Sequence, residues 1–103
     1  MITNLKDASA ILQKIIKDRY PQVRRAWIFG SMASNTFSSE SDLDLLIDPD
    51  SPMGLRFISL AEDLEAAIGR KVDLLTMEQA QMLDQQYGYN IMGKAAPIYD
   101  RTA

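Results

Sequence analysis

Three aspartates and one glycine–serine pair have the residue types and spacing for chemistry in this chain. Gly30-Ser31 is followed, after ten intervening residues, by Asp42-Leu43-Asp44, and Asp73 stands further on between Val72 and Leu74. In a β-strand, residues i and i+2 share a face, about 6.6 Å apart along the chain. Asp42 and Asp44 then project together while Leu43, Leu45 and Ile47 face the core. On a helix the same two side chains diverge by about 200°, so strand geometry is the condition for a site. Two adjacent carboxylates resist joint ionisation, and a divalent cation removes that conflict. Oxygen-only donors favour hard ions, and Mg²⁺ is commonly held by one or two carboxylates plus substrate phosphates. Asp73 lies in an apolar run, where a charge is costly unless it is paired or faces a polar cleft. If its strand neighbours that of Asp44, the three carboxylates can hold two ions, one at an acceptor oxygen and one at a triphosphate. Gly30 lets a phosphate approach the backbone, and Ser31 adds a hydroxyl donor at the start of a helix. No P-loop string G-x-x-x-x-G-K-[ST] is present.

Composition narrows the chemistry further. The chain has no histidine and no cysteine. That excludes disulfides, a thiol nucleophile and the usual Ser-His-Asp hydrolase, and makes a zinc site a poor expectation. Catalysis is then left to carboxylates, hydroxyls, backbone amides, lysine or arginine, and Asp73 is the candidate base for an acceptor hydroxyl. The formal net charge is −3, unsuited to general DNA or RNA binding, whose affinity comes from neutralising phosphates. A small substrate or a protein partner is the better expectation. No apolar run reaches membrane-spanning length and no secretory signal stands at Met1 to Asp7, so a cytoplasmic location is expected. Residues 1–103 read as a single domain.

The elements that must position these residues follow from periodicity. Asn4 to Tyr20 predicts a helix, with Leu5, Ala8, Leu12, Ile15 and Ile16 on one stripe, Asn4 as N-cap and Pro21 as the stop. Val23 to Phe29 predicts a strand covered on both faces, because Trp27, Ile28 and Phe29 are consecutive and apolar. A short helix is expected to open at Ser31 or Met32. Asp42 to Ile47 predicts a second strand, ended by Asp48-Pro49-Asp50-Ser51-Pro52, in which Asp48 and Asp50 read as turn residues. Leu55 to Ile68 predicts a helix with Leu55, Ile58, Ala61, Leu64 and Ile68 inward and Gly69 as a left-handed cap. Lys71 to Thr76 predicts a third strand. Met77 to Gly93 reads as one or two helices split near Gly88, and Ala96 to Tyr99 as a last short strand. The order is that of an α/β (α+β) domain; pattern alone leaves a parallel and a mixed sheet equally open.

On these residues the chain resembles the DNA polymerase beta-type nucleotidyltransferase superfamily. Gly30-Ser31, ten residues, Asp42-Leu43-Asp44 and then Val72-Asp73-Leu74 are similar to its signature. The short chain and Trp27-Ile28-Phe29-Gly30-Ser31 resemble its minimal nucleotidyltransferase (MNT) branch. The resemblance implies the nucleotidyltransferase fold, a small mixed sheet with helices packed on it. It implies phosphate contacts from Gly30 and Ser31, metal binding by Asp42 and Asp44, and Asp73 as the third carboxylate. It also implies Mg²⁺, ATP as nucleotide donor, and a HEPN-domain toxin as partner. In that role the chain is an antitoxin that adenylylates a tyrosine of the toxin. One departure stands out: the family often carries arginine soon after Gly-Ser, where this chain has Met32, Ala33, Ser34 and Asn35. Arg24, Arg25, Lys71 or Lys94 are candidates to steady a triphosphate in place of that arginine.

A second function class stays beside the enzyme: an MNT-like antitoxin that masks its partner by contact, with weak or lost catalysis. A nucleotide-sugar transferase using Asp-x-Asp needs a much larger nucleotide-binding domain than 103 residues supply, while nucleotidylation of a small molecule stays open, although such enzymes usually carry an additional acceptor-binding region. Trp27 reads as core. Tyr87, Tyr89 and Tyr99 read as core or interface packing, and the six methionines as gap-fillers in the core or at an interface.

Overall fold

The computed structural model of the chain describes residues 5–29 and 43–102. Eight elements follow in order: α1 (Leu5–Arg19), β1 (Val23–Phe29), β2 (Leu43–Pro49), α2 (Leu55–Ile68), β3 (Val72–Thr76), α3 (Met77–Tyr87), α4 (Ile91–Lys94) and β4 (Ala96–Asp100). Periodicity anticipated α1, the four strands and α2 within a residue or two, and it left α3 and α4 open as one or two helices split near Gly88. The expected N-cap Asn4 and the helix expected at Ser31 or Met32 lie outside the described residues.

The four strands form one sheet in the order β3-β2-β1-β4. β1 runs antiparallel to both β2 and β4, whereas β2 and β3 are parallel. The sheet is therefore mixed. The β2–β3 connection has to cross over, and α2 is long enough to make that crossing.

One sheet face carries the core. Ala8, Leu12 and Ile16 of α1 and Leu60, Leu64 and Ile68 of α2 meet Val23, Ile28, Leu43, Leu45, Ile47 and Val72 there. Fully burying one such aliphatic side chain contributes roughly 1.5–3 kcal/mol, so this face dominates stability. On the other face α3 packs against β2 and β3. Leu46 and Ala80 are fully buried yet stand outside the main cluster, as expected beneath α3. Because α3 covers β2 and β3 rather than β1, Trp27 and Phe29 are only half-buried. The expectation of a first strand covered on both faces, and of Trp27 as core, is corrected accordingly.

The inward stripe of α2 also differs from expectation. Leu55 and Ile58 are 82% and 56% exposed. At about 100° per residue they fall roughly 180° and 120° from the centre of the Leu60–Leu64–Ile68 stripe. Leu60, absent from the expected stripe, occupies the core in their place. Tyr87 and Tyr89 are likewise surface residues, stacked on each other with ring centroids 5.2 Å apart.

The caps account for where the helices stop. Gly69 (φ 72°) and Gly88 (φ 67°) take the left-handed conformation, and their N–H groups donate to the carbonyls of Glu65 and Asp84. Thr76 opens α3 with a capping box: its hydroxyl accepts from Gln79 N–H, and the Gln79 side chain accepts from Thr76 N–H.

Candidate active site

Alternation along β2 sends Leu43, Leu45 and Ile47 into the core and Asp44 to the opposite face, half-buried. Along β3, Val72 and Leu74 face the core and Asp73 faces away. The parallel register pairs Asp44 with Asp73 directly. Neighbouring strands lie about 4.8 Å apart, so two carboxylates separated by 28 intervening residues emerge side by side on one face. An apolar strand tolerates Asp73 because its side chain is 49% exposed at the sheet edge. Phe29, the residue before Gly30, is paired with Asp44 on the other flank.

Gly30, Ser31 and Asp42 lie outside the described residues, as do Met32 and Ser34. Of the residues singled out from sequence, the structure therefore brings Asp44 and Asp73 together. Among the described residues no group of three or more acidic side chains is poised to hold a metal.

The basic residues sort clearly. Lys71 places its Nζ 3.8 Å from Asp73 Oδ1, as the i, i+2 spacing along one strand face allows. Arg24 and Arg25 are committed elsewhere. Arg25 donates from Nε (3.1 Å) and Nη2 (2.7 Å) to Asp48 Oδ2, and Arg24 Nη2 donates to Asp48 Oδ1 at 3.3 Å. Asp48 is four residues beyond Asp44 on β2, about 13 Å away. It is a buried strand residue, 8% exposed, rather than the turn residue expected. Asp50 does lie past the strand, where its hydrogen bond with Arg101 holds its carboxyl below the usual carboxylate range. Sequence reasoning missed the role of Asp48. A sign of it was available, since adjacent arginines early in one strand and an aspartate late in its antiparallel neighbour are placed to meet.

A cleft of about 480 Å³ opens at that same far end, between the β2–α2 connection and the start of α3. Asp48, Met53, Phe57 and Thr76 are among its walls. It is separate from the Asp44–Asp73 pair.

A mixed sheet with helices on both faces and Asp44 in register with Asp73 on its parallel strands fits the nucleotidyltransferase fold that the resemblance implies. Comparison with known proteins agrees. The family described as Polymerase beta, Nucleotidyltransferase matches residues 11–103. The protein adenylyltransferase MntA of Thermococcus cleftensis is 37% identical over 75 residues, 69% of this chain and 75% of the relative. Among solved structures, a toxin–antitoxin crystal structure with AMP-PNP superposes with a TM-score of 0.73 at 23% identity, covering 89% of this chain and 73% of the other. A structure of tri-AMPylated Shewanella oneidensis HEPN toxin in complex with MNT antitoxin superposes with a TM-score of 0.68 at 21% identity, covering 92% and 71%. At those identities the structural likeness speaks for the fold.

The chain belongs to the polymerase beta nucleotidyltransferase family.

Proposed function

We propose that this chain transfers AMP from ATP to a hydroxyl of a HEPN-type toxin, with tyrosine as the acceptor, and thereby acts as an antitoxin. The observation that carries the reading is the register of Asp44 with Asp73 on adjacent parallel strands. The MntA relative, named a protein adenylyltransferase, and the fold shared with toxin–antitoxin complexes support the substrate and the partner.

In the proposed reaction the acceptor oxygen bonds to the α-phosphorus of ATP. The bond from that phosphorus to the oxygen bridging the β-phosphate breaks, and pyrophosphate leaves. The hydroxyl proton passes to the carboxylate of Asp73. The donor set suits Mg²⁺: Asp44 and Asp73 offer oxygen only, side by side on one face, and Asp42 stands two residues from Asp44 in sequence. Bound Mg²⁺ supplies the positive charge that offsets the carboxylates and the triphosphate. Gly30 and Ser31 are assigned phosphate contacts through backbone N–H and hydroxyl.

The test is incubation with α-labelled ATP and Mg²⁺, with and without the product of the adjacent reading frame. Label on the partner, absent with Asp42→Asn plus Asp44→Asn, is the expected result. The competing reading is neutralisation by contact alone, favoured by Met32 and Ser34 standing where the family often has arginine. Full neutralisation by the double variant at equal abundance would establish it.

A further inference from the structure

We infer that Lys71 is a nucleotide-binding residue whose ammonium group holds a phosphate of the donor triphosphate; the inference rests on the nucleotidyltransferase reading of the same site. The starting point is a charge deficit. The stretch from Gly30 to Asp44 contains no lysine or arginine, and it carries Glu40, Asp42 and Asp44. A triphosphate beside Asp44 and Asp73 concentrates negative charge, and a side-chain cation that joins Mg²⁺ in offsetting it comes from another part of the fold.

Several arginines are engaged at the opposite end of the sheet. Arg24 and Arg25 grip Asp48. Arg101 donates to Asp50 and to the Pro21 carbonyl, and Arg56 donates to Gln22 and the Arg19 carbonyl while lying over the Tyr20 ring. Lys71 is placed differently. Its carbonyl accepts from Leu43 N–H at 2.8 Å, tying its backbone to the start of β2. Its side chain leaves the sheet on the Asp73 side, with Nζ 3.8 Å from Asp73 Oδ1. That side chain is 67% exposed, and an ammonium group has three donors, so facing Asp73 leaves donors for a phosphate oxygen. A compact charge on a flexible stem is a common phosphate partner.

The test is calorimetric titration of the full chain with a non-hydrolysable ATP analogue and Mg²⁺. Lys71→Met is expected to weaken binding roughly tenfold, the range of one charge-assisted contact at a solvent-facing site. Lys71→Arg keeps affinity within about threefold, because the charge survives. Lys17→Met, in the last turn of α1 on the other side of the sheet, controls for net charge and binds like wild type. Thermal melts of all three variants confirm folding.

Unchanged affinity in Lys71→Met, with wild type binding normally, overturns the inference and leaves the nucleotidyltransferase reading intact. So does unchanged affinity accompanied by a shifted pH profile of AMP transfer, which would make Lys71 a positioning residue for Asp73. Equal weakening by Lys17→Met also overturns it. Wild type that neither binds the analogue nor transfers label defeats the nucleotidyltransferase reading itself.

Discussion

Asp48→Asn separates acidic residues that build the fold from those assigned to chemistry. Asp48 is 8% exposed and accepts from Arg25 at 2.7 and 3.1 Å and from Arg24 at 3.3 Å. Breaking a fully buried ion pair costs about 3–5 kcal/mol, whereas an exposed pair is worth about 0–1 kcal/mol. The Arg24 and Arg25 side chains are 46% and 44% exposed, so water screens the charges they are left with. An asparagine oxygen still accepts one of the bonds. The expected loss is therefore about 1–2 kcal/mol. For a domain of this size each kcal/mol moves Tm by roughly 4–8 °C, which puts the fall at roughly 5–15 °C. The assay pairs thermal melting with AMP transfer measured well below the lower Tm. Asp48→Asn should melt early and transfer like wild type, because Asp48 lies about 13 Å along the strand from Asp44. Asp44→Asn should melt within a few degrees of wild type and lose transfer by about a hundredfold or more, the scale of several kcal/mol of lost charge stabilisation. An Asp48→Asn protein with unchanged Tm, or one that melts normally but no longer transfers AMP, would refute this division of roles.

Two further predictions concern the core and its pH response. Leu64→Ala should cost about 2–5 kcal/mol in urea unfolding, because Leu64 is fully buried between the helices and the sheet. Leu55→Ala on the same helix should stay within about 0.5 kcal/mol, given 82% exposure. Tyr20 is buried and donates to Asp63 Oδ2 at 2.6 Å. Burial first, and then that hydrogen bond, raise its hydroxyl pKa above the ordinary 10.0. A raised folded-state value means the contribution is complete below the unfolded pKa and is lost as pH climbs through the folded one. The stability advantage of wild type over Tyr20→Phe should be full at pH 8 and shrink above about pH 10; an advantage constant through that range contradicts the assignment.

Much of the fold was legible because it is local. Apolar spacing in α1, the apolar run of β1, and glycines at 69 and 88 each act within a few residues, so the element boundaries could be read with little help from tertiary context. Locality also explains the errors. Leu55 and Ile58 fit a helical stripe as well as Leu60 does, and only the position of the sheet beneath α2 decides which side is inside. Asp48 reads as a turn residue beside Pro49 until β1 is laid antiparallel to β2, which brings Arg24 and Arg25 to it.

The candidate site divides along the same line. Residue types by themselves excluded imidazole and thiolate and made the spaced aspartates the candidates for chemistry. They also determined that a strand at Asp44 turns its acid away from Leu43 and Leu45, since side-chain alternation is a property of one strand. Lys71 reaches Asp73 by alternation within one strand, whereas only the tertiary structure decided that Asp44 meets Asp73 and that Arg24 and Arg25 are drawn to Asp48 instead. Strand order and register arise from how α2 crosses over and packs its apolar side on the sheet, and a one-residue slip would send Asp73 into the core. That outcome is set by burial summed over the whole domain, and no stretch of sequence around Asp73 contains it.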